Sequence, residues 1–329
     1  MNMRCDIVIA TWNAVAMTRV ALESIRREAN VAYRLVLVDN SEEPDARAWF
    51  RDIAASGEFG ETLLIQNDEN LGWLKATNIG LRQADAEFIC LLNNDVVCGT
   101  DWLRRCVALM QREPDIAIVN PRGNERSENC LVKDVNAYAR KLAQEQDRSF
   151  TELDHCSGFC MVVRGALFRE IGLLDEIFDG GYYEDNDLSY RAQAAGYRCA
   201  QCDDAFVLHL VSQSFKKMPA ELKRKMIARN REICRSRWGS RRSQLLLLRN
   251  DPDSADDLIA LIRRHRIYLI DNRHVPESVR SFRHQNLTLL LPRWLGEHLY
   301  FLLQSQYLSR KKRIDEAHIL YTSVTDQIH

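Results

Sequence analysis

No uncharged apolar stretch of this 329-residue chain reaches the roughly 20 residues that cross a bilayer. The opening MNMRCDIVIATW lacks a basic segment leading into a long apolar run and a small-residue cleavage site, so no secretory signal is expected. Ten cysteines are too few for a small disulfide scaffold; reduced thiols in a cytoplasmic protein are the expectation. Neither an internal repeat nor a low-complexity tract is present. No G-x-G-x-x-G and no Walker lysine motif follows the first strand-like run, which argues against a dinucleotide dehydrogenase and a P-loop ATPase. Integral-membrane, secreted and collagenous classes are thereby set aside. What is there is ordinary for a globular protein, at 46% hydrophobic and 28% charged residues. At roughly 100–200 residues per domain, the length fits two domains or one large domain with an extension.

The net charge of −1 conceals an asymmetry. From Phe215 onward there are 23 Lys/Arg against 12 Asp/Glu; before it there are 22 against 34. Parts of such different charge are expected to do different jobs. Lys216–Arg242 alone carries eleven basic residues against Glu221 and Glu232. That segment suits a solvated helix face or peripheral contact with an anionic membrane at its inner face. Nucleic acid is not an expected partner, because aromatic residues are sparse there and no recognition module is present.

Continuous apolar runs predict strands at Asp6–Thr11, Arg34–Asp39, Thr62–Ile65, Glu87–Leu92 and Ile116–Val119. Helical spacing predicts helices at Met17–Arg27, Pro44–Ala55, Gly72–Ala84 and Trp102–Arg112. Buried strands alternating with helices indicate a doubly wound α/β fold with a mostly parallel sheet. Arg122–Asp154 reads as a polar, loop-rich insertion with a helix near Val135–Gln146. Further on, Gly158–Arg164, Tyr197–Gln201 and Ala205–Leu208 read as strands. Gly165–Ile171, Glu184–Ala195 and the basic Pro219–Trp238 read as helices. The domains expected are 1–214 and a basic, mainly helical extension, 215–329, with one strand at Ile267–Ile270. The apolar stretch Leu287–Leu303 is expected to pack against the first domain or a partner subunit.

Ligands of open α/β sheets bind beyond the carboxyl ends of the strands. Those ends carry Thr11-Trp12-Asn13, Asp39-Asn40-Ser41, then Asn67, Asn70 and Gly72, then Asn93-Asn94-Asp95. Without a glycine-rich loop, a phosphate-bearing ligand would need a metal. An aspartate beside amide oxygens suits a hard cation such as Mg²⁺ or Mn²⁺. A second group, Glu184-Asp185-Asn186-Asp187, opens a helix, where the dipole favours acids and a solvated cap is the plain alternative. Asp187 has Arg191 four residues on, a helical ion pair, and is expected to be structural. Asp185, followed at that spacing by Ser189, is the better candidate for a general base. His209 ends a strand just before the basic segment. Lys75 either reaches a phosphate from its helix or is solvated. The Cys199-x-x-Cys202 pair is not read as a zinc site, because positions three apart on a strand face opposite ways.

The strings DIVIATWN, LVLVDNS, Asp68-Glu69-Asn70-Leu71-Gly72-Trp73, LLNNDV, CSGFCMVVR, YYEDNDLSYRAQAAGY and FVLHLVSQS occur in this order. Over about Asp6 to Trp238 the chain thereby resembles the family 2 glycosyltransferases of GT-A fold, rhamnosyltransferase-like members above all. The resemblance implies inverting transfer of a sugar from a nucleotide-diphosphate sugar to an acceptor hydroxyl, assisted by Mn²⁺ or Mg²⁺. It implies that Thr11 and Asn13 line the nucleotide pocket. Asp39 would accept from a pyrimidine imide, which favours a UDP or dTDP donor. Asn93-Asn94-Asp95 stands where the family has D-x-D, with Asp95 and His209 as metal ligands. Asp185 matches the catalytic base, and Gly158 borders the sugar. Asn40, Asn70, Gly72, Lys75 and Glu184 complete the expected donor pocket. Asn93 departs from the pattern, since its amide oxygen accepts but brings no charge. The acceptor implied is a glycan, a lipid-linked sugar or a protein, with the specificity expected from Arg122–Asp154 and Phe178–Tyr183. Two rivals are a nucleotide-sugar binding module with impaired catalysis, hinted at by Asn93, and a sugar-phosphate nucleotidyltransferase. The second lacks the glycine-rich basic loop that a triphosphate favours.

Overall fold

The computed structural model describes residues 4–124, 134–210, 219–252, 254–291, 297–310 and 315–320. The chain divides into two units, Met1–Thr151 with His155–Arg237, and Glu152–Asp154 with Trp238–His329.

In the first unit, strands β1 (Arg4–Thr11), β2 (Ala32–Asp39), β3 (Thr62–Gln66) and β4 (Phe88–Leu92) pair in parallel in the order β3-β2-β1-β4. Helices α1 (Val15–Glu28), α2 (Pro44–Ser56) and α3 (Gly72–Leu81) connect them. Because side chains alternate along a strand, Ile7, Ile9, Leu35 and Leu37 face one core with α1, α2 and α4 (Trp102–Arg112). Phe50, Phe59, Phe88 and Trp102 are its largest fully buried members. Ala10 and Val38 face the other way, onto Ala76 of α3. Helix α3 comes close there because Gly80 has no side chain: a Cβ would stand 2.5 Å from Val8 Cγ1 and 3.0 Å from Val38 Cγ2.

Beyond β4 the sheet continues through β8 (Cys160–Arg164), β6 (Ile116–Arg122), β9 (Arg198–His209) and β5 (Val96–Cys98), with β7 (Phe150–Leu153) also on β9. Strand β8 is antiparallel to both β4 and β6, and β5 is antiparallel to β9. The two short strands β5 and β7 were not anticipated from the sequence, being three and four residues long. The insertion holds helix α5 (Val135–Glu145) where one is expected. A further difference is that β9 is one strand and not two. Asp203 and Asp204 interrupt its apolar pattern but stay inside it, since both are buried and bonded. Thr151 and Gln201 donate to Asp203, and Arg105 and the Arg148 N–H to Asp204. A register shift opposite these residues accommodates them. Helices α6 (Gly165–Ile171), α7 (Glu184–Ala194) and α8 (Ala220–Trp238) complete the elements. Through Arg237, α8 belongs to this unit, so the boundary falls after the basic helix and not at 214/215.

The second unit departs further from the mainly helical expectation. It contains a four-stranded parallel sheet, β10 (Ser243–Leu248), β11 (Arg266–Ile270), β12 (Leu287–Leu290) and β13 (Glu316–Leu320), in the order β12-β11-β10-β13. Helices α9 (Ala255–Arg264), α10 (Glu277–Arg280) and α11 (Glu297–Arg310) intervene. Ser254 caps α9 by accepting from the N–H groups of Asp256 and Asp257. Leu246, Leu248, Leu261, Ile262, Ile267 and Leu269 form its core. The stretch Leu287–Leu303 is thus a strand followed by the start of a helix, with 292–296 outside the described residues. Short leucine runs such as SQLLLL have no period that separates strand from buried helix, which is why the sheet was hidden. Among the described residues no helix is long and apolar enough to cross a membrane.

Candidate active site

The expected residues gather at the C-terminal ends of the parallel strands, here called the rim. The first group ties together β1, β2 and β3. Thr11 and Asp39 are partners in the β1–β2 register. Asp39 is completely buried. Its two oxygens accept from the Ser41 N–H at 2.8 Å and from Gln66 Nε2 at 2.9 Å. Asn13 takes a left-handed backbone, φ 49°, and its amide oxygen accepts from the N–H groups of Glu42 and Glu43. Asn40 donates to the Gly72 carbonyl at 3.2 Å and accepts from Asn67 at 2.7 Å. Asn70 accepts the Gly72 N–H at 3.0 Å, a side-chain turn that launches α3. Gly72 sits at φ 78° with open space where a Cβ would be. Lys75 is exposed one turn further on. Sequence reasoning missed Gln66 and Arg47, which donates to the carbonyls of Ser41 and Asn67. Only the β2–β3 register, which sets Gln66 beside Asp39, reveals the former.

The second group contains the candidate cation ligands. Asn94 donates to Thr11 Oγ1 at 3.2 Å and to Thr18 Oγ1 at 3.1 Å, fixing the turn after β4. Thr18, a polar residue on the buried face of α1, also went unread. Past that turn the chain enters β5, and the β5–β9 register pairs Val96 with His209. This brings Asp95 to His209: the carboxylate Oδ1 lies 3.2 Å from Nε2, and the Leu210 N–H donates to the Asp95 carbonyl. Asn93 Nδ2 is 3.3 Å from the same nitrogen. The His209 ring stacks on Phe159 at 5.5 Å, and its backbone is held twice by the Asn124 amide. The structure therefore brings Asp95, His209 and Asn93 together. Among the described residues no set of three His, Cys, Asp or Glu converges on one point.

The third group is the acid pair at the start of α7. Asp185 accepts from the Gly158 N–H at 2.9 Å and from its neighbour Asn186 N–H at 2.8 Å. Burial pushes its carboxyl up, an effect that His155 and these amides only partly offset. Glu184 is buried, and its Oε2 has no hydrogen-bond partner among the described residues. Burial first, and the adjacent Asp185 charge second, push Glu184 up to about 8. Both adjacent carboxyls thus hold their protons to higher pH than free acids do. Asp187 points elsewhere and pairs with Arg191 and Arg237, each at 2.8 Å. Gly158 lies against Trp73, whose ring would be 3.6 Å from a Cβ placed there.

One loop connects the second and third groups. Gly158 donates to Asp185, while the next residue, Phe159, accepts the Asn93 N–H at 2.9 Å and stacks on His209. Asn120 locks this loop by accepting from Ser157 N–H and donating to the carbonyls of Ser157 and Cys160. Asp185 and the Asp95–His209 pair therefore stand on either side of a single turn.

The family model described as Glycosyl transferase family 2 matches residues 6–172. A low-salt glycan biosynthesis hexosyltransferase, Agl10 of Haloferax volcanii, is 21% identical over 288 residues, covering 83% of this chain and 78% of that protein. The hyaluronan synthase of Pasteurella multocida is 24% identical over 118 residues, 36% of this chain and 12% of its own. Among solved structures, GalNAc-T7 with UDP, GalNAc and Mn²⁺ is similar with a TM-score of 0.53 at 15% identity, over 67% of this chain and 45% of that one. The mannosyltransferase PcManGT of Pyrobaculum calidifontis, with GDP-Man and Mn²⁺, has a TM-score of 0.50 at 17% identity, over 65% of this chain and 59% of that one. The chain thus spans less than two thirds of either solved neighbour. These two share its GT-A sheet, and the family match extends over just over half of the residues. The chain belongs to glycosyl transferase family 2, and it is a glycosyltransferase.

Proposed function

We propose that the protein moves a sugar from a nucleotide-diphosphate sugar to an acceptor hydroxyl with inversion, Asp185 acting as the general base. The observation that carries this reading is the Gly158–Phe159 turn, which fixes Asp185 on one side and packs on His209 beside Asp95 on the other. Direct displacement needs both functions at once. A base takes the acceptor proton as its oxygen attacks the anomeric carbon, and charge on the departing diphosphate is stabilised on the opposite face. A single base with no carboxylate nucleophile gives inversion. Burial raises its pKa, which makes it a stronger base than an ordinary exposed carboxylate.

Asp95 and His209 fit a divalent cation. Their donor atoms are 3.2 Å apart. Bonds of about 2.1 Å place neighbouring octahedral donors about 3 Å apart. A carboxylate oxygen with an imidazole nitrogen suits Mn²⁺ better than Mg²⁺. Such an ion, completed by diphosphate oxygens, would neutralise the leaving group. Asn93 would turn its amide oxygen to it. Thr11, Asn13, Asn40, Asn70, Gly72 and Lys75 form the nucleotide side. Asp39 has lone pairs beyond its two structural donors but is completely buried, so in this reading it meets a pyrimidine imide only when a local shift uncovers one of its oxygens. The acceptor belongs to the glycan, lipid-linked or protein class. The basic α8 side is consistent with an acceptor presented at an anionic membrane.

A thermal-shift panel of UDP, dTDP, GDP and CMP and their common sugars, with Mn²⁺ and with EDTA, tests the donor half. Stabilisation by one pyrimidine diphosphate, dependent on metal and lost in Asp95→Ala, is expected. Stabilisation indifferent to both metal and Asp95 would refute the cation role. No response of folded protein to any nucleotide would refute the donor reading itself.

A further inference from the structure

The four residues ahead of Glu184 all adopt left-handed backbone: Gly180 at φ 83°, Gly181 at 93°, Tyr182 at 68° and Tyr183 at 78°. Glycine takes this region without steric cost, but a tyrosine does not. Two successive tyrosines persist there only if their surroundings hold them. The last of them, Tyr183, is the residue from which α7 starts, and the next two are Glu184 and Asp185. The orientation of the base is therefore inherited from this loop.

Helix α8 supplies the hold. Its outward surface is strongly charged, yet Asn230 is fully buried in its middle. The Asn230 amide donates to the carbonyls of Gly181 at 2.9 Å, Tyr182 at 3.2 Å and Asp179 at 3.4 Å. A turn with every residue left-handed has no regular ladder for its carbonyls, and one side-chain amide takes over that task. Neighbouring residues of α8 brace the same segment. Arg231 donates to the Tyr183 hydroxyl at 3.0 Å, and the Lys223 ammonium lies 5.5 Å from the Tyr182 ring. A side chain at Gly180 would run into Met226. Arg237 bridges Asp175 before the loop and Asp187 after it, at 2.9 and 2.8 Å.

We propose that Asn230 is a positioning residue for Asp185, holding the Gly180–Tyr183 loop so that α7 delivers the base to the Gly158 turn. This rests on the reading of Asp185 as the base. Among the described residues the hydrogen bonds of Asn230 run to Asp179, Gly181, Tyr182 and Arg229, and to none of Thr11, Asp39, Asp95 and His209. It is accordingly expected to govern the chemical step and not nucleotide binding.

The test uses the whole protein and the nucleotide sugar that stabilises it in the panel above, with water as acceptor and release of the nucleoside diphosphate as signal. Asn230→Ala is expected to lower kcat about 10- to 100-fold, the scale of a misplaced catalytic group. Its Kd for the free nucleoside diphosphate is expected to stay within about twofold of the parent, since a misplaced base disturbs the reacting geometry alone. Asn230→Ser, which keeps one hydroxyl donor, is expected to fall between the two, and it carries the test by the same criteria if the alanine variant does not fold. An unchanged kcat overturns the proposal, and so does an equal loss of kcat and affinity. Asp185→Asn, measured alongside, separates the two readings. If it keeps the parental kcat, the base reading fails and the proposal with it. If it is inactive while Asn230→Ala is normal, only the positioning role fails.

Discussion

Asp185 and Glu184 are neighbours in sequence but not in role. With Asp185 as base, Asp185→Asn is expected to reduce turnover by about 10²- to 10⁴-fold while leaving nucleotide affinity intact, as steady-state kinetics and a binding titration will show. Glu184 affects stability instead. An acid whose folded pKa is raised keeps a proton that the unfolded chain has released above about 4.5, so its contribution to stability declines as pH climbs from there towards 8. Thermal melts between pH 5 and 8 are expected to show a shallower decline for Glu184→Gln than for the parent. Asp6 shows the opposite sign. Burial pushes it up, but the paired bonds from Arg34 and the N–H groups of Asp85 and Ala86 prevail and hold it below the usual carboxylate range. Its contribution is present above the ordinary carboxylate pKa and is lost as pH falls through the lowered one. Asp6→Asn is expected to cost about 1–3 kcal/mol in urea unfolding, because the buried charge that accepts from Arg34 and two backbone N–H groups is lost while Arg34 keeps Asp85 and the Gln83 carbonyl. At this scale the sequence was legible wherever a residue ended a strand: Thr11, Asn94, Asp95 and His209 are found at the rim. The partners Thr18, Gln66, Asn120 and Asn230 were not, because each acts through a contact far away in the chain.

The helices and strands of the first unit carry two devices that decide where the site lies. Gly80 lets α3 rest on β1 and β2, and α3 in turn bears Trp73 against Gly158. Gly80→Ala gains about 1 kcal/mol of helix propensity but forces a methyl into Val8, a strain of about 1–3 kcal/mol. A net lowering of the melting temperature by a few degrees is the expected outcome. The other device is β5. Three residues long, it is below what hydrophobic periodicity can register, yet its pairing with β9 is what joins Asp95 to His209. Long periodic elements such as α2 and α4 were legible to within a residue or so. Strands of three or four residues and runs of leucine were not, since pairing across the sheet decides them and not local pattern.

Over the whole molecule, the charge asymmetry in the sequence reflects a real division, but the cut lies after α8 and not before it. The basic helix serves the acid-rich catalytic unit, through Arg231 and Arg237, and leaves the second unit to its own parallel sheet. The nine cysteines among the described residues are all buried, and none of them is in a disulfide. Burial raises the pKa of Cys5, Cys98 and Cys160, withholding the reactive thiolate. These nine are expected to resist a thiol reagent in the native protein and to label together in denaturant, which makes labelling rate a direct gauge of global opening.

The antiparallel setting of β8 has one more consequence. Strand β6 runs out at the rim with Arg122, and β8 comes back in at the rim with Cys160. The stretch between them starts and finishes at the rim, and its described part holds α5, which packs on Phe206 and Leu208 of β9, then β7, which pairs with β9, then the Gly158 turn. Anyone rewriting what the enzyme recognises in this stretch inherits a constraint from it: α5, β7 and the Gly158 turn are also the supports on which β9, His209 and Asp185 lean.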